Sequence, residues 1–257
     1  MKISKIIIIV LLLIFLVLIL RLIHPKTKTT ANMEKPKVAI IIDDFGNGSA
    51  GTEEMLNLPI KFTGAVMPYM PKSVEEENLL ISKGKEVILH QPMEAHTGQR
   101  SWLGETPILG NMSIDEVKET FTKNADQLKN AVGFNNHMGS LITEDREKMK
   151  AMLEIAKERG WFYIDSVTTG KSVAGEAAKE VGIPYGKRDV FLDSTQDINK
   201  IKENIRKAVK IAEEKGSAIA IGHVGAEGGT VTAKAIKEVT NEVGDKVDFV
   251  FVSEVIN

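Results

Sequence analysis

The chain of 257 residues contains no cysteine. Disulfides, thiolate metal sites, cysteine nucleophiles and a lipidated N-terminal cysteine are therefore excluded. Aromatic residues make up only 5% of the sequence, so few are available for sugar- or base-stacking platforms. No Walker motif occurs, and no glycine-rich turn reads as a dinucleotide fingerprint, so no nucleotide is expected as a partner. Acidic residues are missing before Glu34. Residues 1–28 hold five of the 33 basic residues and none of the 35 acidic ones, so the remainder carries a formal charge of −7 rather than the −2 of the whole chain. That balance argues against nucleic acid, because phosphate binding needs a basic face.

What is present begins with a long apolar run. Met1-Lys2-Ile3-Ser4-Lys5 is a short basic start, and Ile6 to Leu20 are uniformly apolar. This pattern belongs to a secretory signal or signal anchor. Fifteen helical residues span roughly 22 Å, short of a hydrocarbon core of about 30 Å. Counting through Ile23 lengthens the run, with Arg21 able to snorkel. Arg21-Leu22-Ile23-His24-Pro25-Lys26 offers no cluster of small residues for cleavage, so an uncleaved anchor is expected over residues 1–24. Residues 25–36, polar with two prolines, read as a tether. The expected location is the cell membrane, single-pass with residues 37–257 exported, or secreted if the segment is cut.

From Lys37 short apolar runs alternate with amphipathic segments. Candidate strands are Val38–Ile42, Phe62–Val66, Val87–Leu89, Val132–Asn136, Trp161–Ile164, Val190–Leu192, Ala218–Ile221 and Val247–Val252. They are short and rich in β-branched or aromatic residues, as buried parallel strands are. Ser113-Ile114-Asp115-Glu116 predicts a capping box, and Thr143 is read as the cap of a helix carrying Met149, Met152, Leu153 and Ala156 and ending at Gly160. Ile198, Ile201, Ile205, Ala208 and Ala212 predict a further helix. This alternation predicts an α/β domain with a mostly parallel sheet, either a closed barrel or an open doubly wound sheet.

Active sites of parallel α/β folds lie at the carboxyl ends of the strands. Asp43-Asp44, His90, His137, Asp165, Asp193 and His223 each follow a candidate strand. Any one alone would read more readily as a helix cap, a turn residue or a structural histidine. Their joint placement on one rim points to a site. A carboxylate with two imidazoles is the donor set of a catalytic zinc or similar divalent site. A second carboxylate suits a base, and a further histidine suits an acid for the leaving group. Neither Ser140 nor Ser166 sits in a G-x-S-x-G elbow, so a serine nucleophile is the weaker reading.

Ile42-Asp43-Asp44-Phe45-Gly46, Leu89-His90-Gln91-Pro92-Met93-Glu94, Asn135-Asn136-His137-Met138-Gly139-Ser140, Tyr163-Ile164-Asp165-Ser166 and Ile221-Gly222-His223 together resemble the divergent branch of the polysaccharide deacetylases. These are the YibQ-like exported proteins within the NodB-homology or carbohydrate esterase class, and the likeness runs from about Lys37 to the C-terminus. The resemblance implies a deformed (β/α) barrel, usually of seven parallel strands. It implies Asp43 as general base, Asp44 and His90 as metal ligands, His223 as general acid, and Asp165 as the residue that orients His223. The usual second motif has a histidine where Glu94 stands here, so His137 is inferred as the third ligand, with Glu94 as its competitor. The usual base-orienting arginine of the third motif is absent. Asn136 and Asp193 are expected either as substrate contacts or as residues that support the reacting side chains from behind. The loop Gly222 to Thr230 reads as room for close substrate approach, and Gln99 to Gly110, with Trp102, as a wall of a sugar cleft.

Two functions follow. One is a metal-dependent N- or O-deacetylase, using zinc or another divalent ion, that acts on a cell-envelope carbohydrate. The other is a non-catalytic envelope protein that uses the barrel and its metal as a binding module. A glycosidase working through Asp43, Asp165 and Asp193 would leave the histidines without a role.

Overall fold

The computed structural model describes residues 34–256. Residues 1–24, read as an anchor, and most of the tether lie outside the described residues. No described helix is long and apolar enough to cross a membrane.

Nine strands form one sheet: β1 (Lys37–Phe45), β2 (Thr63–Val66), β3 (Glu86–Met93), β4 (Gly133–Met138), β5 (Phe162–Asp165), β6 (Tyr185–Lys187), β7 (Val190–Phe191), β8 (Ser217–His223) and β9 (Asp248–Val250). Among the described residues seven α-helices accompany them: α1 (Thr52–Leu56), α2 (Ser73–Ser82), α3 (Ile114–Gln127), α4 (Arg146–Glu158), α5 (Ala174–Val181), α6 (Ile198–Lys215) and α7 (Gly229–Val243). The strand order is β6-β5-β4-β3-β2-β1-β8-β7, and β9 adds to the start of β1. Every pairing is parallel. The expected α/β deformed barrel is the fold, with eight strands on its path rather than seven. The extra strand, Tyr185-Gly186-Lys187, has no apolar run to betray it.

The path opens between β6 and β7, yet the chain itself spans that seam. Arg188 N–H donates to the carbonyl of Asp165 at the end of β5 (3.0 Å), and Asp189 N–H donates to that of Ile219 in β8 (2.8 Å).

Strand parity sorts the side chains into two layers, because successive residues face opposite sides of a sheet. Ala39, Ile41, Ile88, Phe162, Ile164, Ile219 and Ile221 fill the barrel interior. Val38, Ile40, Ile42, Leu89, Phe134 and Tyr163 pack outward with Phe121, Met152 and other helix residues. β1 is covered on both sides, which is why Val38–Ile42 is apolar throughout.

The helix signals hold with one correction. Ser113 and Glu116 form the expected capping box on α3. The cap of α4 is Asp145, whose side chain accepts from Lys148 N–H, while the Thr143 hydroxyl donates to the carbonyl of Gly139.

At the floor of the barrel, Gly133 lies under the Phe162 ring. A Cβ on Gly133 would sit 2.6 Å from two ring carbons. Gly133→Ala is expected to destabilise the domain by about 1–3 kcal/mol through overpacking, read as a lower urea midpoint at unchanged slope.

Candidate metal centre and acid–base pair

Interior parity continues past the apolar floor to the polar rim. Asp43 follows Ala39 and Ile41, His90 follows Ile88, Asn135 and His137 follow Gly133, and His223 follows Ile219 and Ile221. Five side chains from four strands therefore converge at the carboxyl end of the barrel. Asp44 has the wrong parity and arrives by another route. Its φ is +69°, and the register of β1 against β2 slips between Ile42 and Phe45. That irregularity re-aims Asp44 onto the rim beside Asp43.

Asp44, His90 and His137 form one cluster. Asp44 Oδ1 lies 3.0 Å from His137 Nδ1 and 3.3 Å from His90 Nε2, and the two nitrogens are 3.1 Å apart. The outer partners set the tautomers. Asn135 Nδ2 donates to Asp43 Oδ1 (2.8 Å), so Asn135 Oδ1 faces His90 Nδ1 (2.7 Å) and accepts its hydrogen. The Trp102 carbonyl, 3.1 Å from His137 Nε2, accepts there. Both near nitrogens are then left with lone pairs, and the buried Asp44 Oδ1 receives no aligned hydrogen bond. Three acceptors this close, with no proton between them, fit a cation. Ligand bonds of roughly 2.0–2.1 Å in a tetrahedron separate donor atoms by about 3.3–3.4 Å, near the spacing observed. Asn135 and the Trp102 carbonyl supply the outer hydrogen bonds that orient metal-binding imidazoles.

Charge in the site is strongly coupled. Burial pushes the Asp44 carboxyl up, but His137 and His90 beside it outweigh that and hold it well below the usual range. Burial dominates at Asp43 and raises its pKa against the pull of His90 and His223. Burial would lower His90, yet Asp43 and Asp44 reverse the sign and raise it. A cation would thus compete with a proton for His90 Nε2.

On the other flank, His223 Nε2 lies 4.0 Å from Asp43 Oδ2. Its Nδ1 is 2.8 Å from Asp193 Oδ1, and its backbone N–H donates to Asp193 Oδ2 (2.7 Å). Burial works against the imidazolium, but Asp193 outweighs it and His223 is pushed up to about 10. The Phe191 ring packs 4.8 Å from the His223 ring.

Of the two roles expected for Asp193, the structure gives it the supporting one: it holds His223 and also accepts from the Thr232 hydroxyl. Asp165, expected to orient His223, does not. It shares the outward parity of Tyr163, and its carboxylate accepts from Val167 N–H (2.7 Å) and the Ser172 hydroxyl (2.6 Å). Asn136, with the same two expected roles as Asp193, faces outward for the same reason. It accepts from the Tyr163 hydroxyl and Ser166 N–H and donates to the Met138 carbonyl. Glu94 lies outside the cluster, with its carboxylate accepting from Gly110 N–H (2.6 Å). Of the glycines after His223, Gly228 makes room for its partner, since a Cβ there would overlap Asp193 Oδ2 and Thr232 Oγ1.

Asn135 was not singled out by the sequence reading, although its interior parity with His137 was a usable signal. Gly46-Asn47-Gly48-Ser49-Ala50-Gly51 was also passed over, and it does have G-x-G-x-x-G spacing after a strand. Its Gly46 and Gly48 N–H groups both donate to the Glu76 carboxylate (2.6 Å each), so an internal anion takes the place a phosphate would need.

A cleft of about 400 Å³ opens above the cluster, bordered by Asp44, His137, Trp102, Met67, Met138 and Glu227 among others. Part of the expected Gln99–Gly110 wall is therefore in place. Trp102 lies on a short 3₁₀ turn with its indole 56% exposed.

The family model for divergent polysaccharide deacetylases matches residues 40–256. The chain is 34% identical over 187 residues to the uncharacterized protein YibQ of Escherichia coli, covering 73% of this chain and 58% of that protein. It is 31% identical over 195 residues to an uncharacterized protein of Haemophilus influenzae, covering 76% and 69% respectively. Among solved structures, an uncharacterized protein from Agrobacterium tumefaciens superposes with a TM-score of 0.78 at 19% identity, over 90% of this chain and 92% of that one. That last likeness is one of fold, while the matched residues and the two relatives carry the lineage: the chain belongs to the divergent polysaccharide deacetylase family.

Proposed function

We propose that this protein is a metal-dependent hydrolase that removes acetyl groups from a cell-envelope carbohydrate. The observation that carries the reading is the convergence of Asp44 Oδ1, His90 Nε2 and His137 Nδ1, with Asp43 Oδ2 3.6 Å from His90 Nε2 and 4.0 Å from His223 Nε2. One carboxylate and two imidazoles suit zinc with a position left open. A divalent ion held there would supply Lewis-acid polarisation of an acyl oxygen and make water acidic near neutral pH. The apolar run at residues 6–20 supports an exported location.

The chain's own groups divide the proton transfers. Asn135 ties up Asp43 Oδ1, which leaves Oδ2 facing the cluster, 3.6 Å from His90 Nε2. Asp43 is thereby placed to take a proton from an attacking water. Asp193 ties up His223 Nδ1, so Nε2 is the nitrogen that can donate. At neutral pH His223 is an imidazolium, ready to protonate a departing sugar nitrogen or oxygen. Trp102 offers an exposed aromatic face for a sugar ring.

Purified full-length protein should bind about one equivalent of zinc. Occupancy should fall in Asp44→Asn, His90→Ala and His137→Ala, and persist in Glu94→Ala. Retention of zinc by His137→Ala together with its loss in Glu94→Ala would overturn the ligand assignment. Zinc affinity should drop between pH 8 and pH 6, by roughly tenfold per unit for one displaced proton, as read by titration calorimetry.

Acetate release from acetylated oligosaccharides should fall at least about 100-fold in Asp43→Asn while zinc stays bound. No release from any acetylated glycan would leave a binding module instead.

The alkaline limb of activity should follow the loss of the His223 proton, near pH 10. Asp193→Asn removes the charge that raises this pKa but keeps the burial that lowers it. The limb should then move to lower pH.

A further inference from the structure

The cleft above the cluster has a charge pattern that the acid–base chemistry does not use. Its lining includes two carboxylates, Asp44 and Glu227, and no lysine or arginine. Asp44 belongs to the cation cluster, and His223 is already balanced by Asp193 at 2.8 Å. Glu227 is the exposed carboxylate at the lip, within ion-pair distance of His223 but not hydrogen-bonded to it. Its side chain is 59% exposed, and its Oε2 lies 3.7 Å from His223 Nε2, too far for a hydrogen bond. A substrate whose leaving group meets His223 Nε2 must therefore pass beside this carboxylate. Across the cleft stand the exposed indole of Trp102 and the adaptable thioethers of Met67, Met70 and Met138. These present apolar surface without opposing charge.

We propose that Glu227 is a specificity-determining residue, selecting glycans that carry free amino groups beside the acetylated sugar and rejecting glycans that carry carboxylates. This rests on the reading of the site as a glycan deacetylase. A sugar ammonium next to the scissile group would lie against Glu227, while a uronate in that position would meet like charge with no lysine or arginine in the lining to offset it. One partly exposed charge contact near 4 Å is worth about fivefold to tenfold in affinity, and salt should screen it.

The test uses the full-length, zinc-loaded protein with two probes that carry no acetyl group, so turnover cannot interfere: a tetramer of glucosamine and a tetramer of galacturonate. Wild type should bind the glucosamine tetramer at least about tenfold more tightly. Glu227→Gln should shrink that ratio by about fivefold to tenfold, and 0.5 M salt should shrink it comparably. Glu227→Lys should favour the galacturonate tetramer. Equal binding of the two probes by wild type, no binding of either, or an unchanged ratio in both variants overturns the proposal. Acetate release from a tetramer of N-acetylglucosamine, measured in parallel, separates the two failures. Release with an unchanged ratio defeats only the role of Glu227, whereas no release from this or any other acetylated glycan defeats the deacetylase reading beneath it.

Discussion

The primary amide of Asn135 has two buried neighbours with opposite needs. Asp43 Oδ1 requires a donor and His90 Nδ1–H requires an acceptor, and a single Asn135 side chain satisfies both, at 2.8 and 2.7 Å. Because the two ends of an amide are not interchangeable, this bridge settles three things together. It points His90 Nε2, with its lone pair, at Asp44. It commits one oxygen of Asp43 and leaves the other facing the cluster, 3.6 Å from His90 Nε2. It also ties β1 to β3 through β4, so that Asp43 and the cluster of Asp44, His90 and His137 cannot drift apart independently. Breaking it would leave buried polar groups unpaired, which costs more than the bond itself is worth.

Around that bridge the backbone makes a local departure. A regular strand cannot aim two consecutive residues at one cavity, yet Asp43 and Asp44 both reach the rim. The left-handed conformation of Asp44 and the register slip after Ile42 accomplish this. An unfavourable φ at a non-glycine residue persists only where surrounding packing determines it, and β1 is buried between β2 and β8. Val167, a β-branched residue at φ 52°, is a second such point. Its N–H is held by Asp165 and its carbonyl by Arg188 Nη2. Asp165 thus shapes the loop at the barrel seam, where Arg188 also packs 5.1 Å from the Phe191 ring that lies against His223. Asn135 donates to Asp43 Oδ1, while across the seam burial lowers the Arg188 pKa against the charges of Asp165 and Asp43, which favour its guanidinium.

Much of this was legible from residue order. Eight of the nine strands announced themselves as apolar runs, and polar residues at their ends named the rim. Two of the misplaced residues share one cause. Asp165 and Asn136 end strands just as His223 and His137 do, but on the opposite parity, so a reading by strand end alone could not separate them. Applying the period of two from the apolar interior outward selects Asn135 over Asn136 and turns Asp165 away from the site. The exception to that parity, Asp44, depends on a bulge that no residue type in Ile42–Phe45 foretells. Asp193 lies beyond β7, where parity no longer applies, and its pairing with His223 required the β7–β8 register to be known.

By itself, then, the order of residues determined the parallel α/β architecture, the absence of thiol chemistry and the set of carboxylates and imidazoles available at one rim. These depend on hydrophobic periodicity and on which residues follow a strand, both local properties of the chain. Tertiary structure decided which nitrogen of each imidazole faces the cluster, which aspartate supports His223, and that Glu227 borders the cleft. Those outcomes depend on contacts between segments 30 to 92 residues apart, where strand register and hydrogen-bond competition choose among partners that are chemically alike.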